Sequence, residues 1–215
     1  MTLTLYAHPF SSYCQKAKMA LYEKAIPFDE KMLDTSEPVA SEFAALTPFR
    51  RFPIAVDEGR TIFEATGIIE YLEARYPRGG RLIPAEPLAA AEARMWDRIF
   101  DNYVGYPLQR LVFAAIGREH DDGGARWRGE LDTAYAWLDR HFETSEWAAG
   151  DFSIADCAAA PHLLYADWSH PIPERYAALK AYRSRLLARP SYARALEEAR
   201  PFRHYFPLGA PEGRD

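Results

Sequence analysis

The Pro- and Gly-rich stretch at residues 77–87, PRGGRLIPAEP, constrains the fold of this chain more than any other feature. Its three prolines and two adjacent glycines are typical of a linker between folded units. Strand and helix patterns alternate before it, whereas every pattern after Leu88 is helical. The sequence therefore predicts an α/β domain at residues 1–78, a linker at 79–88 and an all-helical domain at 89–215.

The first domain consists of short elements of mixed type. Alternation of apolar residues predicts strands at 2–7, 28–33, 54–56 and 61–63, the last two forming a hairpin around Asp-Glu-Gly. Apolar residues at helical spacing predict helices at 11–23, 39–46 and 65–76. The order strand, helix, strand, helix, strand, strand, helix describes a small α/β unit.

The second domain shows repeated amphipathic patterns. Four apolar residues fall on one helical face: Leu131, Tyr135, Leu138 and Phe142. Further helices are predicted at 89–118, 153–166, 174–188 and 191–199. The spacing Ser153-x-x-Asp156 predicts a capping box, in which each residue satisfies a free backbone amide at the start of a helix. Cys157, among alanines, is interpreted as a core residue.

Composition and charge exclude several classes of protein. The formal charge is −5 and the basic residues are spread along the chain, which gives no nucleic-acid footprint. No apolar run approaches the ~18 residues of a membrane span, and the amino terminus lacks a signal-peptide pattern. Only two cysteines are present, which fits a reducing cytoplasm rather than a disulfide framework. The histidine and cysteine spacings indicate no metal site.

The stretch LYAHPFSSYC, residues 5–14, leads from the first strand into the first helix. Serine is a preferred helix N-cap, which is the ordinary explanation for Ser11 or Ser12. The turn also lies at the carboxyl edge of a sheet, where α/β folds bind ligands. Ser11 and Cys14 occupy the places of the two cysteines in a thioredoxin-like Cys-x-x-Cys pair. Because a hydroxyl forms no mixed disulfide, thiol–disulfide exchange is disfavoured.

A hydroxyl at the start of a helix can instead hold the thiolate of a bound molecule. A free thiol has a pKa of ~8.5, and lowering it by ~2 units requires ~2.7 kcal/mol. A charge-assisted hydrogen bond contributes ~1.5–3 kcal/mol and a helix N-terminus a further ~0.3–1 kcal/mol. The spacing to Cys14 favours Ser11 for this role, while Ser12 could cap the helix or share the thiolate.

Across essentially its whole length the chain resembles a serine-type, cytosolic glutathione S-transferase similar to bacterial members. Such a protein has a thioredoxin-like domain, a linker and a helical domain. The resemblance rests on four motifs in order: LYAHPFSSYC, TPFRRFPIAVD (47–57), FEATGIIEYLEARYP (63–77) and FSIADCAAAP (152–161).

The resemblance implies a binding site for glutathione, the co-substrate, and implies no metal. Ser11 would stabilise the thiolate, with Ser12 as the alternative, and the Phe52 backbone would pair with the tripeptide beside a cis Pro53. Arg51 would hold the glycine carboxylate, and Glu64 the γ-glutamyl amine. The amides of Ala65 and Thr66 would bind the adjacent carboxylate.

Three positions depart from the family pattern. Serine is usual at the position of Ala65, and losing its hydrogen bond would weaken glutathione binding roughly three- to tenfold. Thr47 and Arg50 stand where Asn and Gly are common. The tyrosine-type branch of the family is disfavoured, because Ala7 occupies the matching end of the strand and Tyr6 should point to the opposite face.

The resemblance implies a cytoplasmic detoxification enzyme that joins glutathione to an apolar electrophile. The second substrate would bind between the domains, near Phe10, Tyr103, Tyr106 and Phe113. The alternatives are a glutathione-dependent isomerase or dehalogenase of a small acid, held by residues such as Arg50, and a non-catalytic binding protein on the same fold. A homodimer is expected, with Phe49 inserting into the partner, and neither nucleic acid nor membrane is an expected partner.

Overall fold

A computed structural model describes residues 2–118 and 124–214. The amino-terminal domain contains one four-stranded sheet, with the strand order β2-β1-β3-β4. The strands are β1 (Leu3–Ala7), β2 (Phe28–Met32), β3 (Ile54–Asp57) and β4 (Arg60–Phe63). The β1–β2 pair is parallel and the other two pairs are antiparallel. All four predicted strands are present, with ends within one residue of the prediction.

Three helices complete this domain: α1 (Ser12–Glu23), α2 (Val39–Leu46) and α3 (Ala65–Arg75). Helix α1 lies between the two domains and packs against α3 on one side and α7 and α9 of the helical domain on the other. For this reason every residue from Cys14 to Leu21 is buried, including two lysines. Helix α2, by contrast, has no fully buried residue.

The rest of the chain is helical, as predicted. Its elements are α4 (Pro87–Ile99), a π-helical segment (Phe100–Gly105), α5 (Tyr106–Ala115), α6 (Ala125–Phe142), α7 (Ile154–Ser169), α8 (Ala177–Leu187), α9 (Pro190–Ala199) and a 3₁₀ segment (Arg200–Tyr205). Helix α7 forms the centre of the domain, and every residue from Ile154 to Trp168 is buried. Within the described ranges, none of the helices has the length and apolar character needed to cross a membrane.

The predicted capping box at the start of α7 is confirmed. The Ser153 hydroxyl accepts a hydrogen bond from the Ala155 amide, and the Asp156 carboxylate accepts one from the Ser153 amide at 2.9 Å. Asp156 also accepts bonds from the Ala148 amide and from the Tyr182 hydroxyl. Burial raises the pKa of this carboxyl, and these donors only partly offset the effect. Cys157 is fully buried, as its neighbours predicted.

A buried polar cluster joins the two domains beneath α3. Lys16 is fully buried, and its Nζ lies 2.6 Å from Asp97 Oδ1 and 2.8 Å from Asp101 Oδ2. His162 Nε2 lies 2.9 Å from Asp101 Oδ1. Burial alone would raise the pKa of Asp101, but the bond to His162 and the charge of Lys16 hold it below its usual range. The close approach of His162 requires Gly105, since a Cβ there would lie 2.8 Å from the imidazole ring.

Candidate functional site

A cavity of about 910 Å³ lies between the two domains. Five parts of the chain line it: the β1–α1 turn, the region from the end of β2 to β3, helix α5 with the residues after it, Tyr165 of α7, and the segment after α9. The turn contributes His8, Phe10, Ser11, Ser12 and Tyr13. The volume is at the upper end of the ~300–1,000 Å³ typical of small-molecule sites.

Ser11 is the N-cap of α1. Its backbone is extended, with φ −100° and ψ 121°, and its hydroxyl oxygen accepts a bond from the Cys14 amide at 3.3 Å. Ser12 is the first residue of the helix itself. The prediction that Ser12 caps the helix is therefore wrong, because the chain turns from extended to helical one residue earlier. Both serines nevertheless line the cavity.

Cys14 lies one turn into α1 and is fully buried. Its Sγ accepts a bond from the His8 amide at 3.4 Å. Burial raises the pKa of this thiol to about 12, and the bonds from Ser11 and His8 only partly offset the shift. A thiol that stays protonated is a poor nucleophile, in agreement with its exclusion from the chemistry on sequence grounds.

Internal hydrogen bonds fix the turn before Ser11. The Ser11 amide donates to the His8 carbonyl, and the Phe10 amide donates to His8 Nδ1, both at 3.1 Å. The His8 ring stacks on Phe52 at 5.7 Å between centroids and contacts Tyr205 at 5.9 Å. Burial lowers the pKa of His8, so its neutral form, with Nδ1 as an acceptor, is favoured.

Tyr13 also lines the cavity, although no sequence motif singled it out. Its ring packs edge-on against His162. Burial raises the pKa of Tyr13, and the charges of Asp101, Arg98, Glu64 and Arg51 contribute smaller effects of both signs. The hydroxyl is therefore a neutral donor in the electrostatic neighbourhood of two predicted glutathione-binding residues.

The loop before β3 has the geometry that the resemblance implies. The Phe52–Pro53 peptide bond is cis, and Pro53 is buried whereas Phe52 is partly exposed. Arg50 and Phe52 line the cavity. Arg51 is exposed and is not among the cavity-lining residues.

The start of α3 presents the remaining predicted ligands of glutathione. Glu64 is exposed and has φ 63°, a conformation that turns the chain sharply into the helix. Ala65 is buried. The Thr66 hydroxyl accepts a bond from Lys16 Nζ at 2.9 Å and donates to Asp97 Oδ2 at 2.8 Å. Since that hydroxyl is engaged with protein, only the backbone amide of Thr66 is left for a ligand.

The four aromatic residues predicted for a second substrate fall into two pairs. Phe10 and Phe113 line the cavity, whereas Tyr103 and Tyr106 do not. The Tyr106 ring packs edge-on against Trp127 of α6, with centroids 5.8 Å apart, and Tyr103 is 63% exposed on the π-helical segment. The prediction that Tyr103 and Tyr106 lie at the cavity is therefore wrong.

Several other lining residues have no distinctive sequence motif. They come from α5, the residues that follow it, α7 and the carboxyl-terminal segment: Leu108, Gln109, Val112, Ile116, Arg118, Tyr165, Phe206 and Pro207. The helical spacing of Leu108 and Val112 could have indicated a common face, but the direction of that face depends on the packing of α5. Among the described residues, no group of three metal-ligating side chains is close enough to hold a metal ion.

Comparisons with known proteins agree with this architecture. The family model "Glutathione S-transferase, N-terminal domain" matches residues 5–81, and "Glutathione S-transferase, C-terminal domain" matches residues 104–185. A stringent starvation protein A homolog from Coxiella burnetii is 27% identical over 205 residues, covering 92% of each chain. A probable maleylacetoacetate isomerase from Vibrio cholerae is 26% identical over 212 residues, covering 94% of this chain and 98% of the relative.

A solved structure has the same overall architecture. The crystal structure of a glutathione S-transferase from Rhodospirillum rubrum F11 is 27% identical and superposes with a TM-score of 0.82. It covers 99% of this chain and 98% of its own. The two family models together cover well over half of the chain, in the order and at the positions of the two observed domains. This chain therefore belongs to the glutathione S-transferase family.

Proposed function

We propose that the protein is a glutathione transferase in which Ser11 activates the thiol of glutathione. The observation that carries the proposal is the position of the Ser11 hydroxyl, at the N-cap of α1 and on the wall of the interdomain cavity. Its oxygen accepts from a backbone amide, so its O–H can rotate away from the buried Cys14 and donate to a thiolate in the cavity. The positive end of the α1 dipole favours the same anion.

Two charged side chains outside the cavity lining, on the loop before β3 and at the start of α3, match the chemistry of glutathione. The tripeptide has two carboxylates, one ammonium and one thiol. Arg51 and Glu64 are exposed, and neither side chain has a hydrogen bond or an ion pair within residues 2–118 and 124–214. We assign Arg51 to the glycine carboxylate and Glu64 to the γ-glutamyl ammonium. The amides of Ala65 and Thr66, at the start of α3, receive the adjacent carboxylate.

In the proposed reaction, the protein stabilises the thiolate and provides apolar surface for the second substrate. The thiol proton leaves to water, and Ser11 donates its hydrogen bond to the sulfur anion. The thiolate attacks the electrophilic carbon of the second substrate, a carbon–sulfur bond forms, and the leaving group departs with the electron pair. Phe10 and Phe113 supply apolar surface for that substrate.

Conjugation of glutathione to a generic aromatic electrophile tests the proposal. We expect wild-type turnover to exceed that of the double variant Ser11→Ala/Ser12→Ala. Equal rates, with both proteins folded, would refute it. Binding to immobilised glutathione is measured in parallel, because a folded protein that fails to bind would instead be a binding protein of another kind, a role that Ala65 in place of the usual serine would favour.

A second candidate is a glutathione-dependent isomerase or dehalogenase of a small acid. It is favoured by two guanidinium groups on the cavity wall, Arg50 and Arg118, which can pair with carboxylates. The isomerase named among the relatives is in agreement with this alternative. Turnover of an unsaturated diacid, compared with that of an aromatic electrophile, separates the two reactions, because only the isomerase returns glutathione unchanged.

We further propose a homodimer in the cytoplasm with a role in detoxification. Phe49 is 75% exposed on the loop before β3, where an aromatic ring has no folding role of its own. Insertion of this ring into a partner chain would remove it from water. The two-fold arrangement expected for such a dimer places the α/β domain of one chain against the helical domain of the other.

A further inference from the structure

Gln15 is a buried polar residue of α1 that makes three hydrogen bonds. It is 1% exposed. Its Nε2 donates to the Pro9 carbonyl at 3.1 Å and to the Tyr165 hydroxyl at 2.5 Å. Its Oε1 accepts from the Tyr192 hydroxyl at 3.2 Å. Each polar atom of the side-chain amide is thus paired, as a buried amide requires.

The bond to Pro9 reaches the turn that carries Ser11. Pro9 is buried and precedes Phe10 and Ser11 directly. The backbone amides and carbonyls of this turn otherwise make local hydrogen bonds, within residues 8–15. The Gln15 side-chain amide connects the turn to α7, because the same Nε2 donates to the Pro9 carbonyl and to the Tyr165 hydroxyl.

The other two partners of Gln15 belong to the helical domain. Tyr165 lies on α7 and Tyr192 on α9, and both are buried. Tyr165 also lines the interdomain cavity. Gln15 therefore links three regions: the serine turn, the centre of the second domain and, through Tyr165, the wall of the cavity.

We propose that Gln15 is a positioning residue that holds the Ser11 hydroxyl in place by fixing the Pro9 carbonyl. This inference rests on the proposed role of Ser11. A hydrogen bond weakens steeply as its angle and length depart from the optimum, so a small shift of the turn reduces the stabilisation of the thiolate. Gln15 itself does not touch glutathione. Its effect falls on the pKa of the bound thiol rather than on the binding of the tripeptide.

The test is a pH titration of glutathione bound to the protein, in which the ultraviolet absorbance of the thiolate reports the ionisation of the bound thiol. The variant Gln15→Met keeps an unbranched side chain of similar length and leaves the Pro9 carbonyl unpaired. We expect the midpoint for the bound thiol to rise by about half to one pH unit. At a pH below both midpoints, kcat/KM should fall about three- to tenfold, and the dissociation constant for glutathione should change by less than about twofold.

Two further variants separate positioning from general destabilisation. Tyr182→Phe removes a buried bond to Asp156, away from the turn, and should lower the free energy of unfolding without moving the thiol midpoint. Tyr192→Phe keeps the Gln15–Pro9 bond but frees Oε1, and should raise the midpoint by less than Gln15→Met does. If Gln15→Met does not fold, the change in the thiol midpoint of Tyr192→Phe tests the positioning role of Gln15: a raised midpoint supports it and an unchanged midpoint overturns it.

The possible results distinguish this inference from the proposed function. A wild-type midpoint well below the ~8.5 of a free thiol, together with a raised midpoint in Gln15→Met, supports both. A low wild-type midpoint that is unchanged in Gln15→Met and in Tyr192→Phe overturns the role of Gln15 and leaves that of Ser11 intact. A wild-type midpoint equal to that of free glutathione overturns both.

Discussion

The Ser11 hydroxyl has a structural task and a proposed chemical one. Its oxygen accepts the Cys14 amide and so completes the first turn of α1, while its hydrogen is available to the cavity. One hydroxyl group can perform both tasks, because it accepts through the lone pairs of its oxygen and donates through its hydrogen. The two tasks can be separated by the choice of substitution at this position.

Ser11→Ala and Ser11→Gly should have different effects on stability and similar effects on catalysis. Loss of the cap in the alanine variant should lower the free energy of unfolding by about 1 kcal/mol, whereas glycine at an N-cap costs only a few tenths. Both variants lack the hydroxyl, and both should lose roughly ten- to a hundredfold in conjugation rate. Urea unfolding and steady-state kinetics measure the two effects. Wild-type activity in Ser11→Gly would exclude the chemical role, and Ser12→Ala serves as the neighbouring control.

His8 should make stability depend on pH near neutrality. Burial lowers the pKa of His8 in the folded state. As the pH falls below the usual value of about 6.5, His8 is therefore protonated in the unfolded chain before it is protonated in the folded chain. Stability contributed by neutral His8 is thus present above that pH and is lost as the pH falls through it. His8→Asn, which can still accept the Phe10 amide, should lose less stability between pH 7.5 and about 5 than the wild type. Identical pH profiles by thermal unfolding would contradict this.

At the scale of elements, helix α7 depends on one carboxylate. Asp156 accepts from two backbone amides and the Tyr182 hydroxyl, and all of these groups are buried. Asp156→Ala removes the acceptor of these three donors and of the Ser153 hydroxyl, and should lower the free energy of unfolding by at least about 3 kcal/mol. Ser153→Ala, which removes only the cap hydroxyl, should lose about 1 kcal/mol. Equal losses in the two variants, measured by urea unfolding, would contradict the assignment.

The order of elements could be predicted from the sequence because each carries its own local signal. Strand alternation, helical spacing and the capping box at Ser153 and Asp156 depend only on residues close together in the sequence, and the structure confirms them. The π-helical segment at Phe100–Gly105, which packs against α7, carries no such local signal and was predicted as part of one helix over 89–118. The burial of Lys16 could not be predicted either, because the carboxylates that pair with it, Asp97 and Asp101, lie more than 80 residues further along the chain.

The site was only partly predictable for the same reason. The serine turn belongs to a short motif, whereas the cis Pro53 was expected only from the family resemblance; the structure has both. The choice between Ser11 and Ser12 as the cap depended on one backbone torsion, which no residue type dictates. Tyr106 faces α6 instead of the cavity because the rotation of α5 is set by its neighbours.

At the scale of the whole molecule, the ion cluster around Lys16 joins the domains. Lys16→Met would leave Asp97 and Asp101 buried without their principal cation, and should lower the free energy of unfolding by about 3–5 kcal/mol. The double variant Lys16→Met/Asp97→Asn should regain part of that loss, because one unpaired charge is removed. Denaturant unfolding of the three proteins measures this, and a single variant as stable as the wild type would contradict it.

Phe49 should determine the proposed dimer. Phe49→Ser removes the ring that we expect to enter the partner and leaves the fold of the chain unaffected, because the side chain is mostly exposed. Sedimentation at micromolar concentration should show a dimer for the wild type and a larger monomer fraction for the variant. A monomeric wild type would refute the proposal, and a fully dimeric variant would exclude Phe49 from the interface.

The cavity draws its walls from separate parts of the chain. The serine turn comes from residues 8–13, whereas the facing surfaces come from residues 33–52, from 108–118, from Tyr165 and from 205–207. Substitutions in α5 or in the carboxyl-terminal segment can therefore change what fits against the turn without disturbing the bonds that hold it. The proposed thiol-activating turn and the surfaces that would select its substrate thus lie on different stretches of sequence, so we expect substitutions that change the substrate to leave the proposed chemistry in place.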